Sequence, residues 1–215
     1  MSYEAVIFDL GGVVLGSPLH AIARYERDHG IRTGFINRVV VDSGYGGAWS
    51  RLERGELELE AFYVAFESDC QAAGEAISAQ LLMERIAEIS QPRPSMLTAV
   101  GAIRSRGLKA AALTNNWSGE GDSTRPLESL FDAFIESSTL GLRKPDPRIY
   151  RHACAVIEVE PARVVFLDDI GRNLKTAREL GMTTIKVDEP ETALVELERV
   201  LGFVLRGKGL RDAIP

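Results

Sequence analysis

Cysteine and histidine are scarce in this chain of 215 residues, with two of the first, Cys70 and Cys154, and three of the second, His20, His29 and His152. Two distant thiols cannot form a disulfide framework, and neither they nor the histidines show the close spacing of a zinc or iron–sulfur site. The thiols are therefore expected to be buried and reduced in a cytoplasmic protein, and the histidines to lie on the surface or in an insertion. Long hydrophobic runs are also missing. No window approaches the roughly 20 apolar residues that span a bilayer. The leading MSYEAVIFDL has no basic segment before its short apolar stretch, unlike a secretory signal. Positive charge is in deficit, with 25 Lys and Arg against 31 Asp and Glu and a net charge of −6, which argues against nucleic acid and membrane partners. What remains, 45% hydrophobic and 26% charged, is the balance of a soluble globule with one sizeable core and room for an insertion.

Short apolar runs recur at Ala5–Phe8, Leu108–Leu113, Val164–Leu167 and Thr183–Val187, with Ala133–Ile135 a weaker fifth. Helical stretches separate them. Pro94-Ser95 opens one that ends at Gly107, Gly171–Leu180 stops at Gly181, and Pro190–Leu201 stops at Gly202. Continuous apolar strands alternating with helices predict an α/β fold, a Rossmann-like parallel sheet covered on both faces. From about Pro18 to Gln91 the alternation breaks, and runs such as Leu57–Cys70 and Ala76–Ile89 carry helical periodicity alone. The expected organisation is a core of residues 1–15 and 93–205, a small helical cap of residues 16–92 inserted after the first strand, and a loose tail over 206–215. Gly16-Ser17-Pro18 and Gln91-Pro92-Arg93-Pro94 supply turn chemistry at the two joints.

In open parallel sheets ligands bind beyond the carboxyl ends of the strands, so the residues that end each apolar run carry the most information. The first run ends in Asp9-Leu10-Gly11-Gly12, the second in Thr114-Asn115-Asn116, and the one from Val164 in Asp168-Asp169. Lys144 follows the weak strand, within Gly141-Leu142-Arg143-Lys144-Pro145-Asp146-Pro147. Carboxylates gathered at one sheet edge repel one another unless a cation is shared, and hard oxygen ligands suit Mg²⁺. A hydroxyl and an amide from the second strand's end, with a lysine ammonium, are donors for the oxygens of a phosphoryl group, and a carboxylate among them can act as nucleophile. Taken singly, Asp9 reads as a turn residue, Asp168-Asp169 as a helix cap and Lys144 as a solvated loop lysine; their conjunction points to chemistry.

The segments FDLGGVV, LTNNW, GLRKPDPRIY and FLDDIGRNL, in that order, resemble the four motifs of the haloacid dehalogenase-like hydrolases. Within that superfamily the chain resembles the N-terminal phosphatase domain of soluble epoxide hydrolase and the N-terminal domain of acyl-CoA dehydrogenase family member 10. The resemblance implies that Asp9 attacks phosphorus and becomes an aspartyl phosphate. It implies that Thr114 and the Asn115 backbone hold the phosphate, that Lys144 neutralises the nucleophile and the phosphoryl oxygens, and that Asp9, Asp169 and the Gly11 carbonyl ligate Mg²⁺. Asp168 would ligate the metal through water or orient that shell, and Asn173 would position Lys144 or its loop. One position departs from the pattern. Phosphatases of this kind carry an aspartate two residues after the nucleophile, and here Gly11 stands there. The general acid–base help usually worth roughly 10²–10⁴-fold is thus missing from its place, which implies slow turnover, good leaving groups, or an acid from the cap or the substrate.

Within the insertion, Gly44–Arg51 mixes glycines with an aromatic and a cation, which makes Trp49 and Arg51 candidate substrate contacts. Glu53, Arg54, Glu56 and Glu58 are expected to form a solvated face. The expected substrate is a small phosphorylated metabolite. Oligomeric state stays open, a homodimer paired through the helical cap being one arrangement compatible with the sequence. Two other readings stand beside a Mg²⁺-dependent phosphohydrolase: a metal-independent 2-haloacid dehalogenase, disfavoured because paired acids oppose a departing halide, and a non-catalytic module that binds phosphate.

Overall fold

The computed structural model describes residues 2–117 and 124–205; the expected tail over 206–215 lies outside them. Five strands, β1 (Ala5–Phe8), β2 (Lys109–Thr114), β3 (Ala133–Glu136), β4 (Val164–Asp168) and β5 (Thr183–Lys186), form one parallel sheet in the order β3-β2-β1-β4-β5. The fold is α/β and Rossmann-like, as the apolar runs predicted, and the weak fifth candidate pairs with β2 as the edge strand.

The strands are apolar throughout because both faces of the sheet are covered, and side chains alternate between the faces. Val6, Phe8, Ala110, Ala112, Val165 and Leu167 point to one side, against helices α6 (Pro94–Ser105) and α10 (Pro190–Leu201). Ala5, Ile7, Ala111, Leu113, Val164 and Phe166 point to the other, against α8 (Pro147–Ile157) and α9 (Gly171–Glu179). The run Ala110-Ala111-Ala112 has low intrinsic strand preference, and it is a strand because it lies between β1 and β3 with helices above and below.

Between β1 and α6 the chain forms α1 (Pro18–Asp28), α2 (Phe35–Asp42), α3 (Ala48–Leu52), α4 (Leu59–Ala72) and α5 (Ala79–Ile89). These helices have a hydrophobic core of their own, built from residues such as Ile22, Ile36, Trp49, Phe62, Phe66 and Leu82. Glu26, buried on α1, accepts from the backbone N–H groups of Gly34 and Ile36 at 2.7 and 2.8 Å, which satisfies the otherwise orphaned amino end of α2. The chain enters and leaves this insertion side by side. Leu15 bridges Pro92, Gly16 N donates to Gln91 O at 3.1 Å, and Arg93 N to Val14 O at 2.8 Å. A Cβ on Gly16 would sit 1.9 Å from the Ile89 carbonyl oxygen, so only glycine lets the two connections approach. Another short element, α7 (Ser137–Leu140), follows β3.

Cys70 and Cys154 are free and buried, and burial pushes their thiols up to about 12 and about 11. Both are packing residues with little thiolate at neutral pH. No helix among the described residues is long and apolar enough to cross a membrane.

Candidate active site

Parallel pairing brings the chemistry to one edge. Phe8 lies opposite both Ala112 and Leu167, so the next residues, Asp9 and Asp168, emerge side by side on neighbouring strands, with Thr114 closing β2 beside them. The Asp9 N–H donates to the Leu167 carbonyl at 2.9 Å, extending the ladder by one residue and fixing the aspartate's height. Carboxylate oxygens of Asp9, Asp168 and Asp169 lie within 4.8 Å of one another.

Lys144 is the cation among them. It is 1% exposed, and its ammonium stands 2.8 Å from Asp9 Oδ1 and 2.8 Å from Asp168 Oδ2. Its loop is held by Asn115, whose side-chain Oδ1 accepts from Lys144 N at 2.8 Å and whose Nδ2 donates to Lys144 O at 3.1 Å. The Asn115 side chain is therefore committed to the lysine loop, leaving its backbone as the part available to a ligand. Asp168 is sealed from solvent and accepts from Lys144, from Ile170 N at 2.7 Å and from Asn173 Nδ2 at 3.1 Å. Asn173 thus reaches Lys144 through Asp168. The other carboxylates are less committed: Asp9 Oδ1 takes Leu10 N at 2.7 Å and the lysine, while Asp169 takes one long bond, 3.2 Å, from Ser17 Oγ. Among the described residues the Thr114 hydroxyl makes only a 3.5 Å contact, to the Asn115 carbonyl, which leaves it available to an incoming oxygen.

Electrostatics follow from one ammonium serving three acids. Burial pushes the Asp9 carboxyl well above its ordinary value; Lys144 opposes this, and Asp168 and Asp169 add to it. Burial and the Asp168 charge push Asp169 up to about 6. Burial disfavours the charged form of Lys144, yet Asp168 and Asp9 outweigh that and hold its pKa above the usual value. Asn173 Oδ1 is buried and has no hydrogen-bond partner among the described residues, and its residue lines the cleft beside Asp9 and Asp169. Clustered hard oxygen donors with too little positive charge, plus an orphaned oxygen, fit a hard divalent cation.

Gly12 explains how Asp169 comes so near. Its φ is +81°, and a Cβ there would lie 2.0 Å from Asp169 Oδ2. Gly12→Ala combines a left-handed backbone costing about 1–2 kcal/mol with a displaced carboxylate, and is expected to lower the melting temperature by several degrees in thermal denaturation. At Gly11 φ is −63°, but a Cβ would meet the Pro18 ring at 3.2 and 3.3 Å, so a longer side chain there requires that ring to give way.

Two clefts meet over the site. One, of about 110 Å³, holds Asp9, Lys144, Asp169 and Asn173, with Trp49, Glu53, Arg143 and Arg172 around it. The other, of about 240 Å³, leads away between the sheet edge and the helical insertion, past Thr114, and is walled mostly by apolar groups including Leu10, Leu15, Leu59, Tyr63, Met83 and Ile86. Gly11, Pro18, Asn115 and Trp117 line both.

Of the two insertion residues the sequence suggested, Trp49 reaches the cleft and Arg51 does not. Trp49 lines the first cleft but is largely core, 7% exposed, edge-on to Phe62, Phe66 and Trp117, with its indole N–H donated to Glu53 at 3.0 Å. Arg51 lines neither cleft; its guanidinium is partly exposed, 3.7 Å from Glu56. The expectation of a solvated face is corrected for half of its residues. Glu56 and Glu58 are exposed, but Glu53 is 7% and Arg54 4% exposed. Arg54 is buried because it lies 3.6 Å over the Tyr45 ring, donates to Tyr45 O at 2.9 Å and grips Glu56 at 2.6 and 2.9 Å. Glu53 is buried because it turns to the core: Arg143 Nε is 2.5 Å from its Oε2, Asn115 Nδ2 3.4 Å, and Arg143 also donates to Ser50 Oγ at 2.8 Å. Arg143 stands within a quoted motif, so only its partner across the cleft was invisible. The three histidines are exposed, as expected.

The matches with known proteins agree with this geometry. The family model of haloacid dehalogenase-like hydrolases matches residues 3–181. Acyl-CoA dehydrogenase family member 10 of Mus musculus is 39% identical over 95% of this chain and 20% of its own length. Bifunctional epoxide hydrolase 2 of Sus scrofa is 34% identical over 95% of this chain and 40% of its own, so the chain spans less than half of either relative. A sesquiterpene phosphatase of Aspergillus oryzae is 24% identical over 94% of this chain and 98% of its own length. Among solved structures, a HAD family enzyme of Bacteroides thetaiotaomicron in complex with magnesium and inorganic phosphate superimposes with a TM-score of 0.62 at 19% identity, covering 87% of this chain and 96% of the other. With four ordered motifs converging on one sheet edge and the model spanning most of its length, the chain belongs to the haloacid dehalogenase-like hydrolases.

Proposed function

We propose that this hydrolase cleaves phosphomonoesters with the help of Mg²⁺, through an aspartyl phosphate on Asp9, and that its substrates carry a hydrocarbon portion. The observation that carries the reading is the meeting of Asp9, Asp168 and Asp169 at one sheet edge with a single ammonium, which touches Asp9 and Asp168, so that acids outnumber cations. Asp9, Asp169 and the Gly11 carbonyl would hold the metal, whose contribution when bound is to offset the charge on the phosphoryl oxygens.

The chain's own residues then have distinct tasks. An Asp9 carboxylate oxygen forms a bond to phosphorus as the bond from phosphorus to the ester oxygen breaks. Thr114 Oγ1, the Asn115 N–H and the Lys144 ammonium donate to the phosphoryl oxygens, and Asp168 with Asn173 keeps Lys144 in place. Water then attacks phosphorus, releasing inorganic phosphate and regenerating the Asp9 carboxylate. The departing oxygen needs a proton, and position 11 offers none. Glu53, the insertion's carboxylate in the cleft, already has Arg143, Trp49 and Asn115 on its oxygens. Alcohols that leave readily, or that bring their own acid, are therefore favoured.

The apolar gallery indicates what the alcohol looks like. Its volume of about 240 Å³ exceeds the roughly 150 Å³ cavity that accepts benzene in an engineered protein core, and it opens beside Thr114 and Gly11. The relative named as a sesquiterpene phosphatase supports a hydrocarbon occupant. Phosphate release from 4-alkylphenyl phosphates of increasing alkyl length, whose phenols leave more readily than alkanols, with Mg²⁺ and with chelator, tests this. The expected outcome is activity only with Mg²⁺ and kcat/KM rising with chain length until the gallery is full. Metal-independent chloride release from chloroacetate without phosphate release would overturn it in favour of dehalogenation.

A further inference from the structure

We propose that Arg93 is a positioning residue for the metal: placed where the chain leaves the helical insertion, it braces the peptide whose carbonyl, Gly11 O, would ligate the ion. The inference rests on the Mg²⁺-dependent reading above and adds to it a residue that stands at no strand end.

The loop after Asp9 has a weakness built into it. Gly11 and Gly12 are adjacent, with φ of −63° and +81°, and two glycines in succession let the peptide between them rotate at little steric cost. That peptide carries both the Gly11 carbonyl and the Gly12 N–H, so a rotation reverses the direction of both. Its N–H donates to Gly16 O at 3.2 Å, a long bond. The next three carbonyls along the chain are all held by one residue. Arg93 Nη1 donates to Gly12 O at 2.8 Å and to Val13 O at 3.2 Å, and Arg93 N donates to Val14 O at 2.8 Å. Fastened on both sides, the Gly11–Gly12 peptide keeps one orientation, and Gly12 keeps the backbone that makes room for Asp169.

Arg93 can serve as a brace because its own backbone is constrained. It lies between Pro92 and Pro94, directly before α6, in extended geometry with φ −89° and ψ 113°. It lines neither cleft, and its side-chain hydrogen bonds among the described residues go to those carbonyls and not to a carboxylate. Burial disfavours its charge, and Asp169 and Glu189 favour it. A half-buried guanidinium directed at two backbone oxygens of the metal loop is the arrangement of an outer partner, which orients a ligand without touching the ion.

Calorimetric titration of the metal-free full chain with MgCl₂, at a fixed concentration of inorganic phosphate, tests the brace without turnover. In Arg93→Met the dissociation constant for Mg²⁺ is expected to rise at least about ten-fold, and in Arg93→Lys, which keeps a donor for the carbonyls, part of the affinity should survive. Arg93→Gln, shorter and neutral, carries the same expectation as Arg93→Met should the latter not fold. Arg104→Met is the control, since Arg104 lies on the same helix and donates to Leu130 O at 2.9 Å; it should lower the melting temperature and leave Mg²⁺ binding unchanged. In phosphate release from 4-nitrophenyl phosphate, Arg93→Met should need more Mg²⁺ for half-maximal rate while kcat at saturating Mg²⁺ stays within about three-fold of wild type. Wild-type Mg²⁺ affinity in Arg93→Met or Arg93→Gln, whatever the melting temperature, would reduce Arg93 to a structural residue and overturn this proposal alone. Absence of Mg²⁺ binding by the wild-type protein would overturn the metal reading on which it rests.

Discussion

Asp9→Asn is expected to abolish phosphate release while raising the melting temperature of the metal-free protein. The loss should be at least about 10⁴-fold, since the amide cannot form the covalent intermediate. The gain in stability follows from the raised pKa of Asp9. Burial lifts its folded-state value above the unfolded one, so at neutral pH the unfolded chain ionises this carboxyl more readily than the folded protein does. The sign is fixed: below the unfolded value both states are protonated and the penalty is absent, and it grows as pH rises towards the folded value. Asparagine carries no such penalty, and its Oδ1 can still accept from Leu10 N and Lys144. The variant should melt a few degrees above wild type near pH 7 in chelator, the shift that roughly 1 kcal/mol produces in a chain this long, and the difference should shrink as pH falls towards 4. A variant that melts lower at every pH would show that the Asp9–Lys144 ion pair outweighs burial.

Lys144→Met is expected to have the opposite effect on stability and an equally severe one on activity. Methionine fills similar space, but the sealed Asp168 loses its cation, and Asp9 and Asp168 then face each other with nothing between them. Breaking a buried pair by removing one partner costs about 3–5 kcal/mol, here on the order of 10 °C in melting temperature. The double variant Lys144→Met/Asp168→Asn separates causes. Neutralising the stranded carboxylate should restore more than half of the lost stability and none of the activity, because the ammonium is still missing from the phosphoryl oxygens. Equal melting of the single and double variants would mean that Asp168 is satisfied by Ile170 N and Asn173 without its lysine.

The two experiments distinguish residues that hold the cluster together from the residue that reacts. Lys144 stabilises a site that Asp9 destabilises, the expected relation where unfavourable charge is gathered for catalysis.

Much of this site was legible in the linear order of residues. Apolar runs that end in Asp9, Thr114 and Asp168 become strand ends of one parallel sheet, and parallel strands carry their carboxyl ends to a common edge, so local patterning and one topological rule place these groups together. The glycines of the first loop were visible too, though only the fold shows that Gly12 makes room for Asp169.

What the sequence by itself determined was the alternation of strands and helices, the helical character of the inserted stretch and the identity of the groups at the strand ends, because these depend on neighbours a few residues away. Only the tertiary structure decided which residues of the insertion face the core. Glu53 and Arg54 read as solvated charges until Arg143 and Tyr45 are seen beside them, and Arg51 gives way to Arg143 and Arg172 as the arginines of the cleft. The gallery beside Thr114 belongs to the same class, being a space between elements distant in sequence. The rotation of an inserted helix about its own axis, and the gap it leaves over the sheet, are set by packing across the whole chain, and a local pattern carries no record of them.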